Sequence, residues 1–234
     1  LSPTYSEHAA AWRAEGHDVA EISDIASVTN HADVVVVTNP NNPDGRVIAS
    51  STLLNLADEL AARGGWLVVD EAFADAQPEA SVAGNVGREG LIVLRSFGKF
   101  YGLAGLRLGF ALAPTCVANE ISLKLGPWPV AGPAIAIAKE ALADETWHTE
   151  TRLNLAEAVK RLDNLLGSAG LTVAGGTPLF RFVTDPRSAG AFESLGRSGI
   201  LVRHFPEQRN WLRFGIPEDE AAFLRLASAF DRMG

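Results

Sequence analysis

Five side chains have types and spacings that could act on one ligand: Asn42, Asp70, Ser96, Lys99 and Arg107. Lys99 stands in SFGKFYGLAGLRLGF, a glycine-flanked turn directly after an apolar run. Ser96 lies three residues before it and Arg107 eight after. Lysine is scarce, and the others (Lys124, Lys139 and Lys160) fall on helix-like or loop segments. A cation at the end of a buried strand carries a desolvation cost, and burial favours the neutral, nucleophilic amine. Such an amine forms a Schiff base with an aldehyde. Asp70 closes a second apolar run, WLVVD, and Asn42 lies in NPNNPDG, the loop after a third, VVVVT. Each also has an ordinary structural reading: Asn and Asp are common turn formers and caps, and Arg107 can be a surface cation.

The elements that must position these residues follow from periodicity. Val34–Thr38, Trp66–Asp70 and residues 91–95 are uninterrupted apolar runs, as expected of buried central strands, and residues 107–113 read as a fourth. Ser50 or Ser51 caps a helix reaching about Arg63, and another helix over 5–15 stops at Gly16. Residues 17–22 read as a short strand. Strand–helix–strand alternation predicts an α/β fold, a mostly parallel sheet with helices on both faces. Beyond Pro127 the pattern changes. Helices are expected over 134–143 and 150–167, the second with Leu153, Ala156, Val159, Leu162 and Leu166 on one face. Strands follow at 171–174, 179–183, 201–203 and 211–214, and Pro217 opens a last helix whose Glu218, Asp219 and Glu220 suit its N-terminal dipole. These make a smaller α+β domain, so the division is placed at 1–147 and 148–234.

Composition narrows the function. With 47% hydrophobic residues in 234, the chain can bury a sizeable core and a second lobe. A net charge of −8 argues against nucleic acid or an anionic membrane as partner, and no apolar run approaches the roughly 20 residues of a membrane span. The single cysteine, Cys116, excludes an internal disulfide and fits a reducing compartment. His8, His17, His31, His148 and His204 lack metal-ligand spacing and read as surface or helix-end residues, so no metal is expected. Phe100 stands where a Walker phosphate loop needs Ser or Thr.

In open parallel sheets, ligands bind beyond the carboxyl ends of the strands. That rule gathers Asn42, Asp70, Ser96 and Lys99 into one crevice. Pyridoxal phosphate (PLP) asks for this set: a lysine for its aldehyde, an anion for its pyridine nitrogen and a donor for its phenolate oxygen.

With NPNNPDG, VVDEAF, SFGKFYGLAGLRLGF and WLRFG in order along nearly the whole chain, the sequence resembles the aspartate-aminotransferase superfamily of PLP enzymes. The resemblance implies that Lys99 binds the cofactor aldehyde and shuttles the proton, with Asp70 on the pyridine nitrogen. It gives Asn42 the phenolate oxygen, Ser96 and Arg107 the phosphate, and Tyr5 the ring face. Arg213 takes the substrate carboxylate; Arg203 is a second candidate for a substrate anion, although either arginine could instead serve an ion pair. Phe73 stands where many aminotransferases have a tyrosine that also donates to the phenolate oxygen. SFGKFYGLAGLRLGFALA, Phe73 and GPWPVAGPA (126–134) look more like the threonine-phosphate decarboxylases of cobalamin biosynthesis than their relatives, the histidinol-phosphate aminotransferases. The resemblance implies a cytoplasmic homodimer acting on a small phosphorylated amino acid, with Trp128 a candidate contact to the neighbouring site. The alternatives are an aminotransferase of histidinol-phosphate type and a non-catalytic fragment of the fold. The sequence opens on Leu1 rather than methionine, and the family's first strands, its glycine-containing phosphate loop and its N-terminal arm have no counterpart here. A complete subunit is therefore expected to be longer.

Overall fold

The computed structural model describes residues 1–28 and 31–233. It divides into two compact units, Leu1–Asn42 with Arg46–Asp144, and Pro43–Gly45 with Glu145 onward.

The first unit is built on β1 (Val34–Thr38), β2 (Trp66–Asp70), β3 (Leu91–Ser96) and β4 (Gly109–Leu112), in that order. Strands β1 to β3 are parallel and in step: Thr38 lies opposite Asp70, and Asp70 opposite Leu94. Their carboxyl ends therefore finish at one edge. The β-branched runs bury Val35, Val37, Val69 and Val93 against Leu53, Leu56 and Leu60 of α2 (Ser50–Ala61), which recur at helical spacing. Helices α1 (Ser6–Ala14), α3 (Thr115–Leu125) and α4 (Gly132–Ala143) complete this unit.

Three expectations fail here. β1 lies at the edge of the sheet, with Val34 and Val36 half-buried, rather than as a fully buried central strand. Residues 17–22 form no strand. The fourth strand is not buried: Phe110 and Ala111 are exposed, and β4 runs antiparallel to β3 in a sheet that is otherwise parallel, as the mostly parallel expectation allows. The chain reaches β4 from β3 through turns and a short 3₁₀ helix (Ala104–Leu106) without a crossover α-helix, which favours the antiparallel direction. The segment that becomes α3 carried no helix signal strong enough to be read.

The second unit comprises α5 (Glu145–Ser168), β5 (Val173–Thr177), β6 (Phe180–Thr184), α6 (Ser188–Arg197), β7 (Arg203–His204), β8 (Trp211–Gly215) and α7 (Glu220–Asp231). Its antiparallel sheet has the order β5-β6-β8-β7. Leu162, Leu166, Leu195, Leu212, Phe214, Phe223 and Phe230 fill its core. Helix α5 starts at Glu145, not 150, and its buried stripe differs from the expected one. Leu162 and Leu166 are buried, whereas Leu153 is 65% exposed. Helix α6 lay unread in the sequence. Helix α7 opens at Glu220, after Pro217, because Asp219 is its N-cap and accepts from the Ala222 N–H. The loop tip Pro43–Gly45 belongs to this unit: a Cβ on Gly45 (φ +75°) would strike the Gly176 carbonyl in β5.

Candidate active site

The site in the first unit starts from Asp70, the last residue of β2. One carboxylate oxygen accepts from the Ala72 N–H at 2.9 Å, and the other lies 2.8 Å from Nε2 of His8. His8 stands in the first turn of α1, one of the helix-end positions expected, but it is turned inward rather than to the surface. It is 20% exposed at the side chain, against 15% for Asp70, and both groups are largely withdrawn from water. The segment before α1 is tied across the end of β1. The Thr4 hydroxyl donates to Asn41 Oδ1 at 2.8 Å and meets the Thr38 hydroxyl at 2.9 Å, while Asn41 Nδ2 donates to the Pro3 carbonyl at 2.8 Å. This places Tyr5 at the N-cap of α1, with its ring edge-on to His8 at 5.8 Å. Tyr5 and His8, three apart at a helix start, share a face; that spacing was the available signal for His8.

The loop 39–45 is fixed by its other asparagines. Asn39 is fully buried, donates to the carbonyls of Ile48 and Ala80, and accepts from the Ile48 N–H. Its hydrogen-bonding capacity is spent on structure. Asn42 is half-buried and follows the buried Asn41 in this loop.

At the end of β3, Ser96 Oγ accepts from the Gly98 N–H at 3.3 Å. Lys99 is exposed, although its neighbours Phe97 and Phe100 are buried. The desolvation expected of this lysine is therefore not present in this chain; the apolar setting belongs to the turn, not to the ammonium. Its Nζ stands 5.7 Å from the centre of the buried Phe73 ring, a cation–π distance. Arg107 is exposed, with a left-handed backbone (φ +53°) that only a constrained turn holds in a residue with a Cβ. Its Nη1 donates to the Ala104 carbonyl at 3.3 Å.

In the second unit, Arg203 and Arg213 face each other across the β7–β8 ladder. Their guanidinium groups lie over Phe205 (5.6 Å) and Phe180 (5.1 Å) respectively. Burial, and then the charge of Arg203, pull the Arg213 pKa below the usual arginine value. Two cations side by side favour an anion as ligand. His148 lies in the first turn of α5, a helix-end position as expected, but is buried, with Nδ1 3.6 Å from Glu145.

The donor set fits PLP: a held carboxylate, an amine, an amide, a hydroxyl beside a backbone N–H, and a guanidinium, on the ends of three adjacent strands and the turns after them.

The sequence profile of the aminotransferase class I and II family matches residues 1–230. The chain belongs to this family. Enzymes of the family depend on PLP. Within it, the chain is 49% identical to the threonine-phosphate decarboxylase of Pseudomonas aeruginosa over 98% of its own length and 70% of that relative. The L-threonine-O-3-phosphate decarboxylase structure from Porphyromonas gingivalis shares the fold, with TM-score 0.83 at 23% identity, covering 99% of this chain and 74% of that one. The histidinol-phosphate aminotransferase of Sinorhizobium meliloti, solved with PLP, gives TM-score 0.76 at 24% identity over 86% of this chain and 57% of its own. Among the described residues no helix is long and apolar enough to cross a membrane.

Proposed function

We propose that this chain carries the cofactor-binding and substrate-binding residues of a PLP-dependent decarboxylase acting on L-threonine O-3-phosphate or a close analogue. The observation that carries the reading is the 49% identity to a threonine-phosphate decarboxylase along almost the whole chain. The bound cofactor supplies an electron sink for the pair left at Cα. Lys99 holds the cofactor by its aldehyde and carries a proton at Nζ. Asp70, steadied by His8 and the Ala72 N–H, holds the proton on the pyridine nitrogen. Asn42 donates to the phenolate oxygen, Tyr5 covers the ring, and Ser96 with Arg107 binds the phosphate. Arg213 and Arg203, paired across β7 and β8, would hold an anionic group of the substrate. In decarboxylation, where CO₂ leaves its electron pair to the cofactor's sink, Lys99 would supply the proton that Cα takes up; in transamination Lys99 would instead take the Cα proton, and the placement of the substrate's anions would decide between the two. The biosynthetic setting is cobalamin assembly, and the working form is a cytoplasmic homodimer.

The test is L-threonine O-3-phosphate mixed with PLP-loaded protein. Stoichiometric CO₂ and no keto acid is the expected outcome; keto acid formed with an amino acceptor instead assigns the aminotransferase. Loss of the visible PLP band in Lys99→Ala accompanies either result.

A further inference from the structure

Directly behind the site, on the other faces of the same two strand ends, lies a charged cluster that none of the roles above uses. Successive side chains of a strand point to opposite faces. Asp70 and Ser96 belong to the site, and their immediate neighbours Glu71 and Arg95 turn away from it and meet each other. Glu71 is fully buried. Its Oε2 accepts from Arg95 Nη1 at 2.9 Å and from the Ser81 hydroxyl at 2.6 Å, and its Oε1 accepts from the Val82 N–H at 2.6 Å. The second arm of Arg95, Nη2, pairs with Asp75. The Glu71 N–H extends the sheet ladder by one rung to the Leu94 carbonyl at 2.8 Å.

We infer that Glu71, Arg95 and Asp75 form a positioning clamp that fixes the spacing between Asp70 and the Ser96–Lys99 turn. This rests on the reading of the site as a PLP site. The rigid fork of Arg95 bridges two carboxylates on either side of Phe73, the residue whose ring faces Lys99. One guanidinium thereby ties the end of β3 to the end of β2 and to the turn beyond it. Each tied segment carries a residue of the site: Asp70, Phe73 and Ser96. Saturation by two carboxylates also keeps Arg95 away from the phosphate, although it adjoins Ser96. The cation for that phosphate is Arg107 instead. A buried ion pair is weak evidence of a contribution to stability, since apolar replacements often fold as well. The same fact makes the positioning role testable.

The triple variant Glu71→Leu/Asp75→Asn/Arg95→Met removes all three charges of the cluster, so that neither carboxylate is left facing the lost guanidinium. Arg95→Lys keeps the charge and loses the fork. Both are compared with the parent in the full chain, by PLP titration followed in the visible band, by the pH midpoint of that band, and by thermal unfolding without PLP. The clamp predicts PLP bound at least tenfold more weakly by the triple variant and severalfold more weakly by Arg95→Lys. It also predicts a displaced pH midpoint, with the cofactor-free unfolding temperature within a few degrees of the parent. Unchanged PLP affinity and pH midpoint overturn the inference. Failure of both variants to fold overturns it too, because the cluster is then a requirement of the fold. A parent that gives no visible band, or one that persists in Lys99→Ala, overturns the site reading itself.

Discussion

At the scale of single residues, the site depends on who faces whom at a few ångströms. Phe73 has no hydroxyl, so in the proposed site Asn42 donates to the cofactor's phenolate oxygen without a tyrosine partner. A donor to the charged form favours that form. Phe73→Tyr is therefore expected to lower the pH midpoint of the visible band of PLP-loaded protein, and a midpoint that stays or rises refutes this. The identity of the donor set was readable at this scale, since carboxylate, amide and amine at strand ends are sequence facts. Their partners were not. His8 reaches Asp70 from a position 62 residues away, and the exposure of Lys99 depends on what the surrounding turns cover rather than on its flanking apolar letters.

At the scale of elements, uninterrupted apolar runs made β1, β2 and β3 legible, although only β2 has three buried residues in succession, while β1 and β3 alternate buried and half-buried ones. Direction was less legible. A run such as 107–113 looks alike in either orientation, and the turn after β3 decides it. Helix α5 shows the same limit: its apolar residues spread around much of the cylinder, and packing selects which stripe is covered. Leu162→Ala is expected to cost about 3 kcal/mol, as for a fully buried leucine. Leu153→Ala should stay within about 0.5 kcal/mol. Urea unfolding of the two variants measures both, and equal costs would return Leu153 to the buried stripe.

At the scale of the whole molecule, two units each close their own core, and the second carries a buried charge that sets an acid limit. Asp185 is 3% exposed. Burial pushes its carboxyl upward, but hydrogen bonds from the Arg187 side chain and backbone and from the Thr172 N–H, with the Arg187 charge, outweigh it. They hold the pKa at about 2 against an ordinary 3.8. A carboxyl depressed by folding stabilises fully above its unfolded value and stops doing so as pH falls through the folded one. The contribution, about 2 kcal/mol, is thus present above pH 4 and lost between about pH 4 and 2. Asp185→Asn should lower the urea midpoint at pH 7, and parent and variant should converge towards pH 2; a constant gap contradicts it. By itself the sequence determined which polar residues close the strands, the parallel core of the sheet and the family, because residue type and short periods are local properties. Only the tertiary structure decided that His8 holds Asp70, that Arg95 is bound by Glu71 and Asp75, and that Lys99 stands exposed. Those are properties of surfaces brought together from distant parts of the chain, where burial and partner geometry exist only after folding.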